Sequence, residues 1–392
     1  MDMLTAAQDI RHFLQEAYHH FHQYPELSHQ EIETSQRVAH WLKEAGLEVW
    51  EHVGGTGVVG LLRGMEGTRT IALRADMDAL PIQEETDSPF ASRNQGRMHA
   101  CGHDAHMAML LGAARLLKRH ESALVHNVKF IFQPAEEFTP PAPGARPMIE
   151  AGVLRDPDVN AIVALHVWPA VPAGKVGMKQ GPIMAAFDVF EFELSGPGGH
   201  GALPHETVDV VVAAAEAIMA FQTIVSRRLR PTLPAAVTVG SVEGGTKQNV
   251  IPTRVTAKGS ARYVLPDQSD LIREGIEAIL KGISIAYGVN YRLNYTTALP
   301  PTINDDAISR LVLRASERIV GKENIEFLNE PAMASEDFSL YLEKVPGCMF
   351  FLGTGNAGAQ PVKLHSASFQ VDEKILPIGA AVLAQTALDY SI

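Results

Sequence analysis

The chain has 392 residues and a formal net charge of −12, without a cluster of lysine or arginine, which argues against nucleic acid and anionic membranes as partners. Its 46% hydrophobic and 20% charged residues are typical of a soluble globular protein, and a chain of this length predicts two domains. Two cysteines cannot form a disulfide framework, and we see neither a signal peptide nor an apolar run long enough to span a membrane. We therefore expect a cytoplasmic protein.

The first part of the chain alternates predicted helices and strands. Helical spacing of apolar residues predicts helices over 5–24, 31–45 and 103–119. Short apolar runs predict buried strands over 58–62, 70–75, 127–133 and 161–165. A proline-rich stretch, 138–147, suggests a flexible insert.

Polar residues follow three of these strands directly. Asp76 and Asp78 follow one strand, Glu136 and Glu137 follow the next, and His166 ends a third. Open α/β sheets bind ligands at the carboxyl ends of their strands. The pattern predicts an α/β fold, a mixed sheet flanked by helices, with these side chains along one edge.

The pattern changes after about Met184. Strands with alternating apolar residues and two long helices follow in the order βαββαβ: 188–194, helix 207–229, 235–242, 254–263, a helix that Asp267 or Ser269 can cap and that runs to Tyr287, and 291–295. This order predicts a smaller ferredoxin-like α+β domain, residues 185–298, inserted into the first domain. The first domain then comprises residues 1–184 and 299–392, with further helices over 305–320, 335–344 and 373–389 and a strand over 348–352.

The stretch Met98–Met107 concentrates three histidines, a cysteine and an aspartate in ten residues. Gly102 allows the tight turn that would direct Cys101 and His103 at one metal ion. The alternative is a buried cysteine followed by a histidine that caps the helix. We interpret the other polar residues of the stretch as supporting residues: His99, Asp104 and His106.

The adjacent acids Glu136 and Glu137 point in different directions at a strand end, so one could bind metal while the other acts as a base on water. The alternative is a solvated acidic turn. His166 alone is more simply a buried core histidine, and His365 alone carries no signal.

The inserted domain contributes a glycine-rich loop, 195–204, that presents His200, a possible donor to an oxyanion. Arg262 could bind a substrate carboxylate through two parallel hydrogen bonds, and Asn249 is a further polar candidate. The alternatives are a flexible loop and an ordinary exposed arginine on a strand.

Together these motifs resemble the M20 metallopeptidases, specifically the amidohydrolase branch with aminoacylase-like, hippurate-hydrolase-like and auxin-conjugate-hydrolase-like members. The resemblance covers essentially the whole chain. The motifs that carry it occur in the family's order: 74–81 (RADMDALP), 99–106 (HACGHDAH), 133–137 (QPAEE), 165–169 (LHVWP), 198–202 (GGHGA), 249–252 (NVIP), 335–338 (SEDF) and the late His365.

The resemblance implies a zinc-peptidase-like catalytic domain with two divalent metal ions, zinc or manganese, with nickel and cobalt as alternatives. It implies five ligands: Cys101, His103, Glu137, His166 and His365. Glu136 would be the general base and acid, and Asp78 would orient a ligand. Asp76 stands where the wider family has a histidine, which leaves the identity of the metal open.

The resemblance also implies that His200, Asn249 and Arg262 contact substrate and that the inserted domain acts as a lid or dimerisation domain in a homodimer. We predict a metal-dependent amidohydrolase whose substrates are N-acyl amino acids, small molecules with an acetyl, benzoyl or similar acyl group. The alternatives are a dipeptidase or carboxypeptidase with the same mechanism, a non-catalytic metal-binding homologue, and a structural subunit that only dimerises.

Overall fold

The computed structural model describes residues 2–138, 143–355 and 362–391. These residues form two compact units. The first unit comprises Met1–Ile183, Ile303–Glu330 and Asp337–Ile392, and the second comprises Met184–Thr302 and Pro331–Glu336.

The strands are β1 Glu48–Val53, β2 Gly57–Leu62, β3 Thr70–Asp76, β4 Asn127–Gln133, β5 Ala161–Pro172, β6 Val176–Met178, β7 Gly181–Met184, β8 Ala186–Ser195, β9 Gly199–His200, β10 Ala235–Gly244, β11 Val250–Ile251, β12 Arg254–Tyr263, β13 Asn290–Leu299, β14 Thr302–Asn304, β15 Ile325–Phe327 and β16 Gly347–Gly355. The α-helices are α1 Met3–Asp9, α2 Arg11–Gln23, α3 Ile32–Glu44, α4 His103–Arg119, α5 Ala145–Glu150, α6 Val210–Thr223, α7 Asp267–Tyr287, α8 Asp306–Val320, α9 Ser339–Leu342 and α10 Leu376–Leu388. Short 3-10 helices cover Glu121–Ala123, Pro204–Glu206, Lys322–Asn324 and Glu373–Ile375, and a π-helical turn covers Ile224–Arg228.

The first unit is built on an eight-stranded mixed sheet in the order β1-β2-β4-β3-β5-β16-β6-β15. Its centre, β4-β3-β5, is parallel, and every residue of β3 and β4 is buried. Strands covered on both faces are mostly apolar, which explains the apolar runs within β3 and β4. The predicted mixed sheet flanked by helices is confirmed, and β3 and β4 deliver their carboxyl ends to the same edge.

The second unit is built on an antiparallel sheet in the order β10-β12-β8-β13, crossed by α6 and α7. In their order along the chain these four strands are arranged 2-3-1-4, which is the split βαβ pattern of a ferredoxin-like fold. Burial alternates strictly along β8, where Phe190, Phe192 and Leu194 enter the core as their spacing predicts. The stretch Val210–Arg228 is long and apolar enough to cross a membrane by length and composition alone, but a core helix has the same properties, and α6 packs its inner face on this sheet.

Several predicted boundaries are wrong. The helix predicted over 5–24 breaks at Ile10, which is buried, so the apolar spacing continues across the break and conceals it. The helix predicted from residue 207 begins at Val210, because the Asp209 side chain caps it by accepting from the backbone N–H groups of Val211 and Val212. The helix predicted over 335–344 shortens to α9.

Two further predictions need correction near the site. The strand that carries His166 runs on to Pro172, so His166 lies inside β5 and not at its end. Part of the predicted flexible insert, 139–142, lies outside the described residues, whereas Ala145 to Pro147 form the first turn of α5, a position where a helix tolerates proline. The sequence-based prediction also missed strands, which are short or lie at a sheet edge: β1, β6, β7, β9, β11, β14 and β15.

A buried arginine connects three segments at the carboxyl end of β3. Arg74 is 1% exposed, and its guanidinium donates to Asp76 Oδ2 at 2.6 Å, to Asp337 Oδ1 at 2.9 Å and to Gln133 Oε1 at 2.9 Å. Arg74 thereby supplies positive charge to two buried carboxylates beside the polar edge of the sheet, where an uncompensated charge would be strongly destabilising.

A second buried ion pair fixes the first turn of α4. His22 on α2 lies between two carboxylates, with Nδ1 2.6 Å from Asp104 Oδ2 and Nε2 3.1 Å from Glu84 Oε1. Burial acts to lower the pKa of His22, but the two carboxylates outweigh it and raise that pKa to about 10. The imidazolium therefore joins α2, α4 and the loop of Glu84.

We expect Arg74→Met to lower the free energy of unfolding by about 3–5 kcal/mol, because it leaves Asp76 and Asp337 buried without this counter-charge. Urea denaturation measures the change. The control is Arg318→Met, which removes an exposed pair with Asp389 and should cost less than about 1 kcal/mol. Equal effects of the two substitutions would contradict the role of Arg74.

We expect the destabilisation by His22→Gln to depend on pH. Because the pKa of His22 is about 10 in the folded chain and about 6.5 when unfolded, its stabilisation is fully present below pH 6.5 and is lost as the pH rises toward 10. The unfolding free energy of the variant should therefore lie about 3 kcal/mol below that of the native chain at pH 6, and the gap should shrink by pH 9.5. Denaturation at both pH values tests this, with the exposed His40→Gln as control; a gap independent of pH would disprove it.

Candidate metal centre

A glycine turn places the first two predicted ligands. Gly102 has φ +86°, and a Cβ at this residue would lie 2.4 Å from the Val167 side chain, so only glycine fits. The turn leads directly into α4, whose first residue is His103, while Cys101 stands just before it. Both side chains are buried.

The ring contacts of two histidines leave one nitrogen of each available to a metal. His103 Nδ1 donates to the Asp78 carbonyl oxygen at 2.8 Å, and His166 Nδ1 donates to the Val167 carbonyl oxygen at 2.7 Å. Each ring, when neutral, therefore presents Nε2 as an acceptor. His166 Nε2 lies 3.6 Å from Cys101 Sγ. Metal-binding histidines typically have their second nitrogen fixed in this way.

Two buried candidate ligand atoms face each other beyond hydrogen-bond distance. His103 Nε2 and Glu137 Oε1 lie 4.0 Å apart, and both are buried without a hydrogen-bond partner among the described residues. His365 Nε2 lies 3.0 Å from Glu137 Oε1 on its other side. Buried polar atoms that lack a hydrogen bond are costly, and a shared cation would satisfy both.

The five predicted ligands come together in overlapping groups whose ligand atoms lie within 4.8 Å of one another. The groups are Cys101 with His103 and His166, Cys101 with Glu137 and His365, and His103 with Glu136 and Glu137. Cys101 belongs to two of them. A thiolate, imidazoles and a carboxylate are the donors that zinc and related transition metals prefer, so these residues fit a metal centre.

The charge around His103 favours a cation. Burial acts to lower the pKa of His103, but the nearby carboxylates of Asp76 and Asp78 outweigh it and raise the pKa to about 10. Burial and the neighbouring Glu137 and Glu136 carboxylates raise the pKa of the Cys101 thiol well above its usual range. The surroundings are therefore anionic overall, which favours a positively charged ion among these side chains.

Asp78 aligns the two glutamates that follow β4. Its Oδ1 accepts from the Glu136 backbone N–H and its Oδ2 from the Glu137 backbone N–H, both at 3.0 Å, while Ser28 Oγ donates to Oδ2 at 2.6 Å. The Asp78 carbonyl oxygen also holds the ring of His103. Asp78 thus holds in place both the ring of His103 and the backbone of the two glutamates.

Other members of the histidine-rich stretch are engaged elsewhere. His106 Nδ1 donates to Asp76 Oδ1 at 2.6 Å, and its Nε2 accepts from the Val167 N–H at 2.9 Å, so neither nitrogen is available to a metal. Asp104 pairs with His22. His99 is buried, and its two ring nitrogens lack hydrogen-bond partners among the described residues. Asp76, at the position where the wider family has histidine, serves as the carboxylate partner of Arg74 and His106.

The second unit holds the predicted substrate-binding residues. His200 and Asn249 are exposed on neighbouring segments joined by the antiparallel pairing of β9 with β11, and His200 Nδ1 accepts from the Ala202 N–H at 3.0 Å. The half-buried Arg262 lies 4.3 Å over the Phe187 ring and donates to Ser335 Oγ at 2.9 Å. Stacking and this hydrogen bond orient its guanidinium.

Sequence reasoning missed three residues that support the centre: the buried Glu31 and His22 and the partly buried Ser28. Nothing in their local pattern distinguishes them, since each becomes informative only through a partner distant in the chain. The adjacent glutamates gave the one indirect signal, because a turn that carries two acids beside a metal needs groups that hold its backbone.

Comparison with known proteins places this arrangement in a family. The sequence model of Peptidase family M20/M25/M40 matches residues 72–389. N-acetylcysteine deacetylase of Bacillus subtilis is 38% identical, with 94% of each chain covered. IAA-amino acid hydrolase ILR1-like 4 of Arabidopsis thaliana is 40% identical over 94% of this chain and 83% of its own.

A solved structure extends the similarity to the fold. The YXEP protein of Bacillus subtilis, described as a dinuclear metal binding peptidase from the M20 family, has a TM-score of 0.85 and 34% identity, over 97% of this chain and 98% of its own. The resemblance indicated by the sequence motifs is confirmed: the chain belongs to peptidase family M20/M25/M40, in its amidohydrolase branch.

Proposed function

We propose that the chain is a metal-dependent amidohydrolase that cleaves N-acyl amino acids into a carboxylic acid and an amino acid. The observation that carries the proposal is the convergence of Cys101, His103, Glu137, His166 and His365 with Glu136 beside them. The names of the deacetylase and IAA-amino acid hydrolase relatives support the choice of an amide bond next to an amino acid.

The five converging ligands would hold two divalent ions, as the description of the dinuclear M20 relative supports. The mixture of thiolate, imidazole and carboxylate donors suits zinc or manganese, with nickel and cobalt as alternatives. Bound ions would polarise the substrate carbonyl and make water acidic enough to lose a proton at neutral pH.

One residue of this chain would transfer the proton, and a second would hold the first in position. Glu136 accepts the proton of the attacking water and delivers it to the leaving nitrogen, which needs a carboxylate close to the ligands but not consumed by them. A carboxylate oxygen of Glu136 lies within 4.8 Å of ligand atoms of His103 and Glu137, which meets the first of these requirements. Asp78 holds the Glu136 backbone in place.

The second unit would bind the remainder of the substrate. We propose that Arg262 or Asn249 binds the free carboxylate of the amino acid and that His200 donates to the carbonyl oxygen as it becomes negative. The ring of Phe187 beneath Arg262 keeps the planar face of its guanidinium fixed, which favours binding through two parallel hydrogen bonds.

We also propose a homodimer formed through the second unit. The outer face of α6 exposes Val211, Val212 and Met219, the last at 70%. Strands β10 and β13 end its four-stranded sheet. Exposed apolar residues next to a sheet edge favour association. The mass in solution by light scattering tests this, since a monomer at micromolar concentration would refute it.

We expect Glu136→Ala to lower kcat by about 10²–10⁴-fold, because it removes the acid–base group. Bound metal, measured by mass spectrometry, should stay nearly unchanged, since five ligands remain. The control is Glu66→Ala, an exposed glutamate in a loop. Near-normal activity of Glu136→Ala would rule out its role.

We expect chelation to abolish hydrolysis and added zinc or manganese to restore it. A panel of acetyl-, benzoyl- and indoleacetyl-amino acids should be hydrolysed faster than dipeptides. Preference for dipeptides would favour a peptidase with the same mechanism. Hydrolysis of none of these compounds by the metal-loaded protein would favour a non-catalytic homologue.

We expect Arg262→Gln to raise KM for an N-acyl amino acid by about 10–100-fold, because a hydrogen-bonded charge pair is lost. The effect should disappear with a substrate whose carboxylate is replaced by a carboxamide. The matched control on β12 is Arg254→Gln, which removes an exposed partner of Glu193. An equal rise for both substrates would contradict carboxylate binding.

A further inference from the structure

Two buried carboxylates hold three consecutive backbone N–H groups. Glu31 Oε1 accepts from the Ala135 N–H at 2.8 Å, and Asp78 accepts from those of Glu136 and Glu137 at 3.0 Å. The turn that carries the proposed base is therefore bound along its backbone from two different segments of the chain. Asp78 follows β3, whereas Glu31 precedes α3.

Glu31 does not serve its own helix. It occupies the N-cap of α3, but its side chain makes no capping hydrogen bond there. Its Oε1 accepts from the N–H groups of Ala135 and His29, and its Oε2 accepts from Thr56 Oγ1 at 2.7 Å. Helix capping, the usual reason for an acid at the start of a helix, therefore does not explain Glu31. Its side chain instead contacts the turn at Ala135.

Ala135 is a residue that needs such support. Its φ is +53°, a left-handed conformation that is unfavourable for a residue with a Cβ. The residue is fully buried, so its N–H would lack a partner without Glu31. Its carbonyl oxygen accepts from the Gly144 N–H at 2.9 Å, which fixes the opposite side of the same residue. Strained backbone of this kind persists only where its surroundings hold it.

The placement of Glu31 is electrostatically unfavourable. The side chain is 0% exposed, and no lysine or arginine forms an ion pair with it in the part of the chain that the structure describes. Burial, with the nearby Asp78 carboxylate, raises the pKa of Glu31 to about 7. A buried acid without a cation does not contribute to stability in the usual way, which points to a role in positioning.

We propose that Glu31 is a positioning residue for the hydrolytic reaction: it holds Ala135 in its left-handed conformation and thereby aims the Glu136 carboxylate. The inference rests on the proposed role of Glu136 as the general base. Glu31 has no role in this scheme as a ligand or as a proton carrier.

Comparing Glu31→Gln with Glu31→Asp separates the effect of side-chain length from the effect of charge. Glutamine keeps the length and an acceptor oxygen for the Ala135 N–H, whereas aspartate keeps the charge but is one methylene shorter. We expect Glu31→Gln to retain most of kcat, and Glu31→Asp and Glu31→Ala to lower it by about 10–100-fold with KM nearly unchanged. The reverse order, or a native kcat in folded Glu31→Ala, would overturn the proposal.

A second measurement does not depend on activity. Hydrogen exchange of the metal-free protein, followed by mass spectrometry on a peptide covering 134–138, reports the protection of the Ala135 N–H. We expect faster exchange in Glu31→Asp and Glu31→Ala than in Glu31→Gln and the native chain. Thr56→Val, which removes only the hydroxyl donor to Oε2, should leave exchange slow. Unchanged exchange in Glu31→Asp would also overturn the proposal.

The Glu136→Ala variant distinguishes the two proposals. If Glu136→Ala stays active, the proposed function fails. If Glu136→Ala is inactive while Glu31→Asp and Glu31→Ala match the native chain, only the positioning role of Glu31 fails. Should Glu31→Ala not fold, the comparison of Glu31→Gln with Glu31→Asp decides the question.

Discussion

The rest of the centre depends on the hydrogen bonds that the Asp78 carboxylate accepts. It stands just beyond the end of β3 and accepts from the backbone N–H groups of Glu136 and Glu137 just beyond β4. Two parallel neighbouring strands thus deliver their carboxyl ends to one edge, and a single side chain fixes the distance between the segments beyond those ends. The carbonyl oxygen of Asp78 orients His103, so one residue positions both the base and a metal ligand.

Buried charge is compensated in a chain of contacts that runs inward from this edge. Arg74 forms ion pairs with both Asp76 and Asp337, and Asp76 in turn fixes the tautomer of His106, whose other nitrogen accepts from the Val167 N–H. Asp76 and Asp337 therefore have protein partners, whereas His103 Nε2 and Glu137 Oε1 are buried without a hydrogen bond among the described residues, with His365 Nε2 3.0 Å from the latter. These two buried polar atoms, which lack hydrogen bonds, therefore lie at the place where a cation would bind.

Predictions from sequence succeeded where periodicity is strong and local. β4, α4 and β12 have the predicted bounds, and α7 ends as predicted at Tyr287, because continuous or alternating apolar residues identify buried strands and amphipathic helices. The break at Ile10, the start of α6 and the length of β5 were misjudged, because a buried residue at a break, a capping side chain and pairing with neighbouring strands leave little trace in apolar spacing. His365 shows the limit for the site: its local sequence carries no signal, only the family resemblance named it, and the structure brings it within 3.0 Å of Glu137.

The sequence by itself determined the family, the α/β class and the chemical types at the site, because the glycine turn at Gly102 and the adjacent acids after β4 are local features. Only the tertiary structure decided which polar side chains are available to a metal and which already have hydrogen-bond partners. His106 and His103 are three residues apart on one helix, yet one has both nitrogens occupied and the other presents Nε2 to Glu137. Glu31 likewise acquires its role from Ala135, more than a hundred residues away. A hydrogen-bond partner is set by distance in space, which local sequence does not encode.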